Sequence, residues 1–109
     1  TTSRKVIADI IRGVIGFDGL LMSDDLSMQA LNGSLGERAR ASLRAGCDVV
    51  LHCNGKLDEM EAVAAEAHVL AGDALVRASA TLDRLGPPQN FDERAALARF
   101  QTLMHPFTC

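Results

Sequence analysis

Gly19-Leu20-Leu21-Met22-Ser23-Asp24-Asp25 constrains this chain more than any other stretch. A glycine opens a short run of large apolar residues, and the run ends abruptly in a hydroxyl and two adjacent carboxylates. Three consecutive apolar side chains without alternation suit a strand buried on both faces, as in a parallel sheet. Ligands of such sheets gather at the carboxyl ends of the strands. The spacing predicts a strand over Leu20–Ser23, which sets Asp24 and Asp25 at that edge.

The flanking segments read as the helices such a strand needs. Ser3 is placed to cap a first helix whose apolar side is Val6, Ile7, Ile10, Ile11 and Val14, with Arg4, Lys5, Asp9 and Arg12 on the other face. Gly16 is expected to stop it, and residues 16–19 to form a tight turn into the strand. After an irregular loop over Met28–Gly33, Ser34 and Glu37 have the spacing of a capping box, so a helix should run to about Ala45 and end at Gly46. Asp48–Cys53 then reads as a second strand by its β-branched content. An interval of about thirty residues between the strands matches one βαβ crossover.

From Asp58 onward the pattern is helical. Met60, Val63, Ala64, Ala67 and Leu70 form one stripe, and Leu75, Val76, Leu82 and Leu85 a second after the Gly72-Asp73 break. Gly86-Pro87-Pro88 ends that region. A last helix over Asp92–Met104 is expected to turn Ala96, Leu97, Phe100 and Leu103 inward. The order is therefore an α/β chain with two parallel strands. Two strands leave edges and faces that need neighbours. Together with the lack of an initiator methionine, this gives the expectation of a piece of something longer.

Composition narrows the function classes. A formal net charge of −3 and four Phe without Trp or Tyr give no basic face and no stacking surface, so nucleic acid is not expected as a partner. No apolar run approaches the length of a membrane span and no signal peptide opens the chain, so neither membrane nor export is expected. Cys47, Cys53 and Cys109 are odd in number and form no C-x-x-C, which points to reduced thiols and a cytoplasmic setting.

A carboxylate at the end of a buried strand is aimed rigidly into a crevice, as a nucleophile or a metal ligand requires. Asp24 is the candidate; Ser23 and Asp25 are candidates to support it by hydrogen bonding. Equally, Asp24-Asp25 can simply end a strand and cap the next turn. If the strands are neighbours, Cys53 and Asn54 share the edge with Asp24, although Asn54-Gly55 also reads as a turn. His52 should point to the face opposite Leu51 and Cys53, as a core residue. Asp58, Glu59 and Glu61 suit a helix N-terminus. There is no dinucleotide or P-loop glycine pattern and no zinc motif, so no cofactor and no metal are expected.

The segment Gly16–Met28, with its Ser23-Asp24-Asp25-Leu26-Ser27-Met28 core, resembles the nucleophile segment of glycoside hydrolase family 3. This version of the segment is similar to that of the bacterial β-N-acetylhexosaminidases of peptidoglycan recycling. The resemblance continues through Gly33-Ser34, Glu37–Ala39 and Ala45–Asp48 to Cys53-Asn54, and so covers Val6–Asn54. It implies the C-terminal portion of a (β/α)8 TIM barrel, with the last two parallel strands and flanking helices in residues 1–86 and a helical tail in 87–109. It implies Asp24 as the nucleophile of a retaining glycosidase acting on terminal β-linked N-acetylglucosamine of muropeptide fragments. The family's histidine acid/base and Lys-His-Phe-Pro-Gly-His-Gly-type segment are absent from these residues, and His52, His68 and His105 lie in no such context. Loss of the acid/base alone costs about 10²–10⁴-fold, so activity would need the missing N-terminal barrel portion as a partner.

Two other readings follow from the same residues. One is a catalytically inactive α/β remnant serving as a structural or interaction domain. The other is a metal- or phosphate-dependent site on Asp24 and Asp25, for which no third ligand is evident.

Overall fold

The computed structural model describes residues 2–105. Cys109 lies outside them. The element order is a π-helix over Val6–Val14, strand β1 over Met22–Asp25, helix α1 over Leu35–Ala45, strand β2 over Val49–Leu51, then helices α2 over Leu57–Ala64, α3 over Gly72–Leu82 and α4 over Glu93–Met104. β1 and β2 pair in parallel.

The first helix differs from the expected α-helix in a way that matters. Ser3 caps it, its hydroxyl accepting from the Val6 amide at 3.3 Å, and Gly16 ends it at φ +69°. Between them the bonding widens to i→i−5, as in Ile15 N–H to the Ile10 carbonyl at 2.8 Å. That winding brings residues five apart onto one face. Ile7 is buried, and Ile11 and Arg12 lie partly buried. Arg12 therefore faces inward, not outward as the 3.6-residue period predicts. Lys5 and Asp9 keep to the exposed side, paired at 2.7 Å.

Inside, Arg12 meets Asp48 at the start of β2. Asp48 Oδ2 accepts from Arg12 Nη2 at 2.8 Å and from the Leu21 amide at 2.8 Å, and Oδ1 accepts from Arg77 Nη1 of α3 at 3.0 Å. Arg12 also donates to the Phe17 and Gly19 carbonyls, each at 2.8 Å, and lies 5.4 Å from the centre of the Phe17 ring. One carboxylate, 6% exposed, thus joins the π-helix, the chain entering β1, β2 and α3.

α1 forms as its sequence dictates. Ser34 and Glu37 satisfy each other's amides in a capping box, and Gly46 closes the helix at φ +117°. A side chain at Gly46 would also press on Ile7 Cγ2, 3.0 Å from an added Cβ. Two small apolar clusters result. Ile7, Ala45 and Cys47 pack with Ile11 and Leu21; Leu26, Ala39 and Val63 pack with Leu31, Leu35 and Val50.

The rest of the chain is thinly packed. α2 ends at Ala64, so Ala67 and Leu70 do not extend its stripe. Leu75, Val76 and Leu82 of α3 are exposed, as are Leu97, Phe100 and Leu103 of α4, which do not turn inward as their period predicts. Helical periodicity defines an apolar face, but burial requires a second surface, and none of the described residues supplies it. Met22 is likewise 54% exposed, so β1 is not buried on both faces. The radius of gyration is 18.7 Å, against about 13 Å for a compact domain of this size. No helix among the described residues is long and apolar enough to cross a membrane.

Breaking a buried ion pair from one side costs about 3–5 kcal/mol. Asp48→Asn leaves Arg12 and Arg77 without their counter-charge and is expected to fall at about 3 kcal/mol on that scale. The measurement is the urea midpoint at unchanged m; a shift worth under about 1 kcal/mol would show that the two arginines are solvated rather than held.

Candidate active site

β1 begins two residues later than its composition suggests, at Met22, and just before it the Leu21 carbonyl accepts from both the Asp48 and Val49 amides, at 2.8 and 3.3 Å. Asp24 and Asp25 consequently lie in the last half of the strand rather than beyond it. The register pairs Met22 with Val49 and Asp25 with Leu51, with an irregularity between. Three steps on β1 oppose two on β2, which is a bulge. Bulges re-aim side chains and cluster beside active sites.

Ser23 fills the gap that the bulge opens. It is 5% exposed. Its hydroxyl accepts from the Leu51 amide at 3.0 Å and donates to the Asp24 carbonyl at 2.8 Å. The side chain so replaces a ladder acceptor and fixes the peptide of Asp24. The Leu26 amide then resumes the ladder to the Leu51 carbonyl at 2.9 Å. The contact of Ser23 with Asp24 runs through the main chain.

Asp24 itself is exposed at the carboxyl edge of the sheet. Its Oδ1 accepts from the Asp25 amide at 2.8 Å, which leaves Oδ2 without a protein partner among the described residues. Asp25 plays another part. It accepts from the Ser27 amide at 3.0 Å and from the Ser27 hydroxyl, closing the turn after β1. The Ser27 hydroxyl and amide hold the Asp25 carboxyl below its ordinary 3.8, with the Cys53 amide and His52 adding to the effect and partial burial opposing it. The two adjacent aspartates thus divide, one outward and one bound to the backbone.

Arg38 of α1 holds the loop that follows. Its guanidinium donates to the carbonyls of Leu26 at 2.8 Å, Met28 at 3.2 Å and Gly33 at 2.9 Å. Sequence reasoning missed Arg38, Arg12 and Asp48. Only the position of Arg38 one residue after the capping box could have hinted at a role there.

From β2, Cys53 is exposed and approaches Asp25 through its main-chain amide. Asn54 Nδ2 donates to Glu59 Oε2 at 2.8 Å, and Gly55 sits at φ +68°, so Asn54 belongs to the turn into α2. His52 is core-facing as expected, yet its neighbours are carboxylates: Nδ1 lies 3.9 Å from Asp25 and Nε2 3.1 Å from Glu59. Glu59 is therefore more than a helix-end charge. Asn54 and Lys56 hold its carboxyl below the ordinary 4.5. His68 and His105 are exposed.

The sequence profile of the glycosyl hydrolase family 3 N terminal domain matches residues 1–82. Among curated relatives, the beta-hexosaminidase of Bordetella avium is 48% identical over 54 residues, which are 48% of this chain and 15% of that protein. That of Aromatoleum aromaticum is 52% identical over 54 residues, 48% of this chain and 15% of its own length. That of Pseudomonas aeruginosa is 43% identical over 65 residues, 58% of this chain and 20% of its own. The matched part of the chain thus spans a fifth or less of these relatives.

Two outcomes test the site. Ser23→Ala leaves the Leu51 amide buried without an acceptor and is expected to cost about 1–3 kcal/mol, with faster hydrogen exchange at Leu51; unchanged exchange there would sink the bulge assignment. For Asp25, the folded carboxyl binds its proton at lower pH than the unfolded one, so its contribution is complete above the ordinary 3.8 and disappears as pH falls through the lowered value. Ser27→Ala, which removes the largest cause, is expected to move the Asp25 carboxyl signal in a ¹³C NMR titration up towards 3.8.

From its profile match across residues 1–82, the chain belongs to the family of glycosyl hydrolase family 3 N terminal domains.

Proposed function

We propose that this chain carries the nucleophile side of a retaining β-N-acetylhexosaminidase site, with Asp24 as the nucleophile. The observation that carries this reading is the Asp24 carboxylate, exposed at the carboxyl edge of a parallel strand and aimed by a bulge that Ser23 pins. A carboxylate so fixed needs little reorganisation to meet an oxocarbenium-like carbon. Its oxygen attacks the anomeric carbon as the bond to the leaving oxygen breaks. An acid from outside this chain supplies the leaving-group proton, and water then resolves the glycosyl-enzyme with retention. Ser23 and Asp25 position Asp24, and Cys53, beyond the end of β2, borders the substrate side, with the Asn54 turn next to it.

In this reading the substrate is a small carbohydrate, terminal β-linked N-acetylglucosamine on muropeptide fragments, in cytoplasmic peptidoglycan recycling. β1 and β2 are the last two strands of a (β/α)8 barrel. Residues 1–86 then form the C-terminal segment of the barrel, followed by the helical tail of 87–109. Two strands cannot close a barrel, so the remaining portion is the required partner. The exposed apolar residues Met22, Leu75, Val76 and Leu82 are consistent with such a missing cover.

A second reading is favoured by one contact. Asp24 Oδ1 takes the amide of the next residue, Asp25, so part of the carboxylate serves its own backbone, as it would in an inactive α/β remnant.

A 2-acetamido-2-deoxy-5-fluoro-glycosyl fluoride separates the two, because such a reagent slows hydrolysis of a glycosyl-enzyme more than its formation. The isolated chain is expected to stay unlabelled. With the missing barrel portion added, one sugar is expected on Asp24 by intact mass and peptide mapping, and none in Asp24→Asn. Absence of label in a complemented, folded complex would discard the glycosidase reading for the remnant.

A further inference from the structure

His52 is a buried polar side chain that the structure leaves without a hydrogen bond. It is 5% exposed, and neither Nδ1 nor Nε2 makes a hydrogen bond. Nearly every buried polar atom in a native protein is paired, so an exception on this scale has a cause. Two carboxylates flank the ring from different elements. Nδ1 lies 3.9 Å from Asp25 Oδ1 at the end of β1, and Nε2 lies 3.1 Å from Glu59 Oε2 in the first turn of α2.

The remaining charged surroundings are few. Lys56 Nζ lies 3.2 Å from Glu59 Oε1, on the far side of that carboxylate. Asp48 and His68 border the same cleft of about 450 Å³ that His52 lines, while α1 contributes only the uncharged Leu43 to it. Asp48 is taken by Arg12 and Arg77. Ionised carboxylates only accept hydrogen bonds. A neutral imidazole donates from one nitrogen, whereas an imidazolium donates from both.

We propose that His52 is a positioning residue for the acidic edge: it ties Asp25, and with it the turn that follows Asp24, to Glu59 on α2. The catalytic consequence rests on Asp24 being the nucleophile; the tie itself rests on the geometry alone. Because Asp25 also binds the Ser27 amide and hydroxyl, the ring acts on the turn over residues 25–28 and not on the Asp24 carboxylate.

Ring ¹⁵N NMR on this chain reads the tie directly. Asp25→Asn and Glu59→Gln are each expected to move the His52 ring resonances at fixed pH while those of His68 stay in place. His52 resonances indifferent to both substitutions overturn the proposal. In the complemented protein, His52→Phe is expected to slow glycosylation of Asp24 about 10-fold with KM unchanged, less than the roughly 10²-fold cost of a 1 Å misplacement. His52→Gln, which keeps one donor, should recover part of that loss. A wild-type rate in His52→Phe overturns the positioning role. Should the unsubstituted complex take no label, the glycosidase reading fails, and the ring resonances decide the tie by themselves.

Discussion

The Asp48 carboxylate holds this molecule together. Its two oxygens bind guanidinium groups from Arg12 and Arg77 and the amide of Leu21, so four segments far apart in sequence converge on one residue. Three donors are what a carboxylate removed from water needs, since the cost of burying it is recovered only with its lone pairs satisfied. Its place at the start of β2 gives it a second consequence. By taking the Leu21 amide it fixes where the chain enters β1, and therefore where the strand's carboxyl edge falls.

The edge is then shaped by side chains that act on the backbone. Ser23 substitutes for a ladder acceptor at the bulge, Asp25 closes the next turn through Ser27, and Arg38 collects three carbonyls of the loop behind it. Asp24 remains outward as the surrounding groups are committed. This is preorganisation built from local hydrogen bonds on a small frame. The frame is thin: outside the two clusters centred on Ile7 and Leu26, the helices expose the apolar faces that their periodicity creates.

Much of this was legible in the chain's own residues. The capping box at Ser34-Glu37, the glycine stops at Gly16 and Gly46, and the two strands around one helix follow from short-range rules, because caps and turns are decided by side chains within a few positions of the backbone they serve. The candidate nucleophile was legible from the apolar run that ends at Ser23. The inward turn of Arg12 was not, since a 3.6-residue period places it outside and only the wider winding of the helix brings it beside Ile7. Nor was the bulge, because it depends on the register between β1 and β2, which neither strand carries alone. The inward face expected for α4 failed for a similar reason: a pattern states which side is apolar, not whether anything lies against it.

By itself, then, the sequence determined the order of elements, the start and stop of α1, and the succession of a hydroxyl and two carboxylates at the first strand. These are local matters of capping, turn chemistry and residue type. Only the tertiary structure decided how the two aspartates divide, with Asp24 outward and Asp25 bound to Ser27, and that Asp48 rather than either of them is the buried charge. It also set His52 between Asp25 and Glu59. The physical reason is distance along the chain. Arg12 and Asp48 are 36 residues apart and Arg77 and Asp48 are 29 apart, and no rule of local propensity relates a charge to a partner that only folding brings within 3 Å.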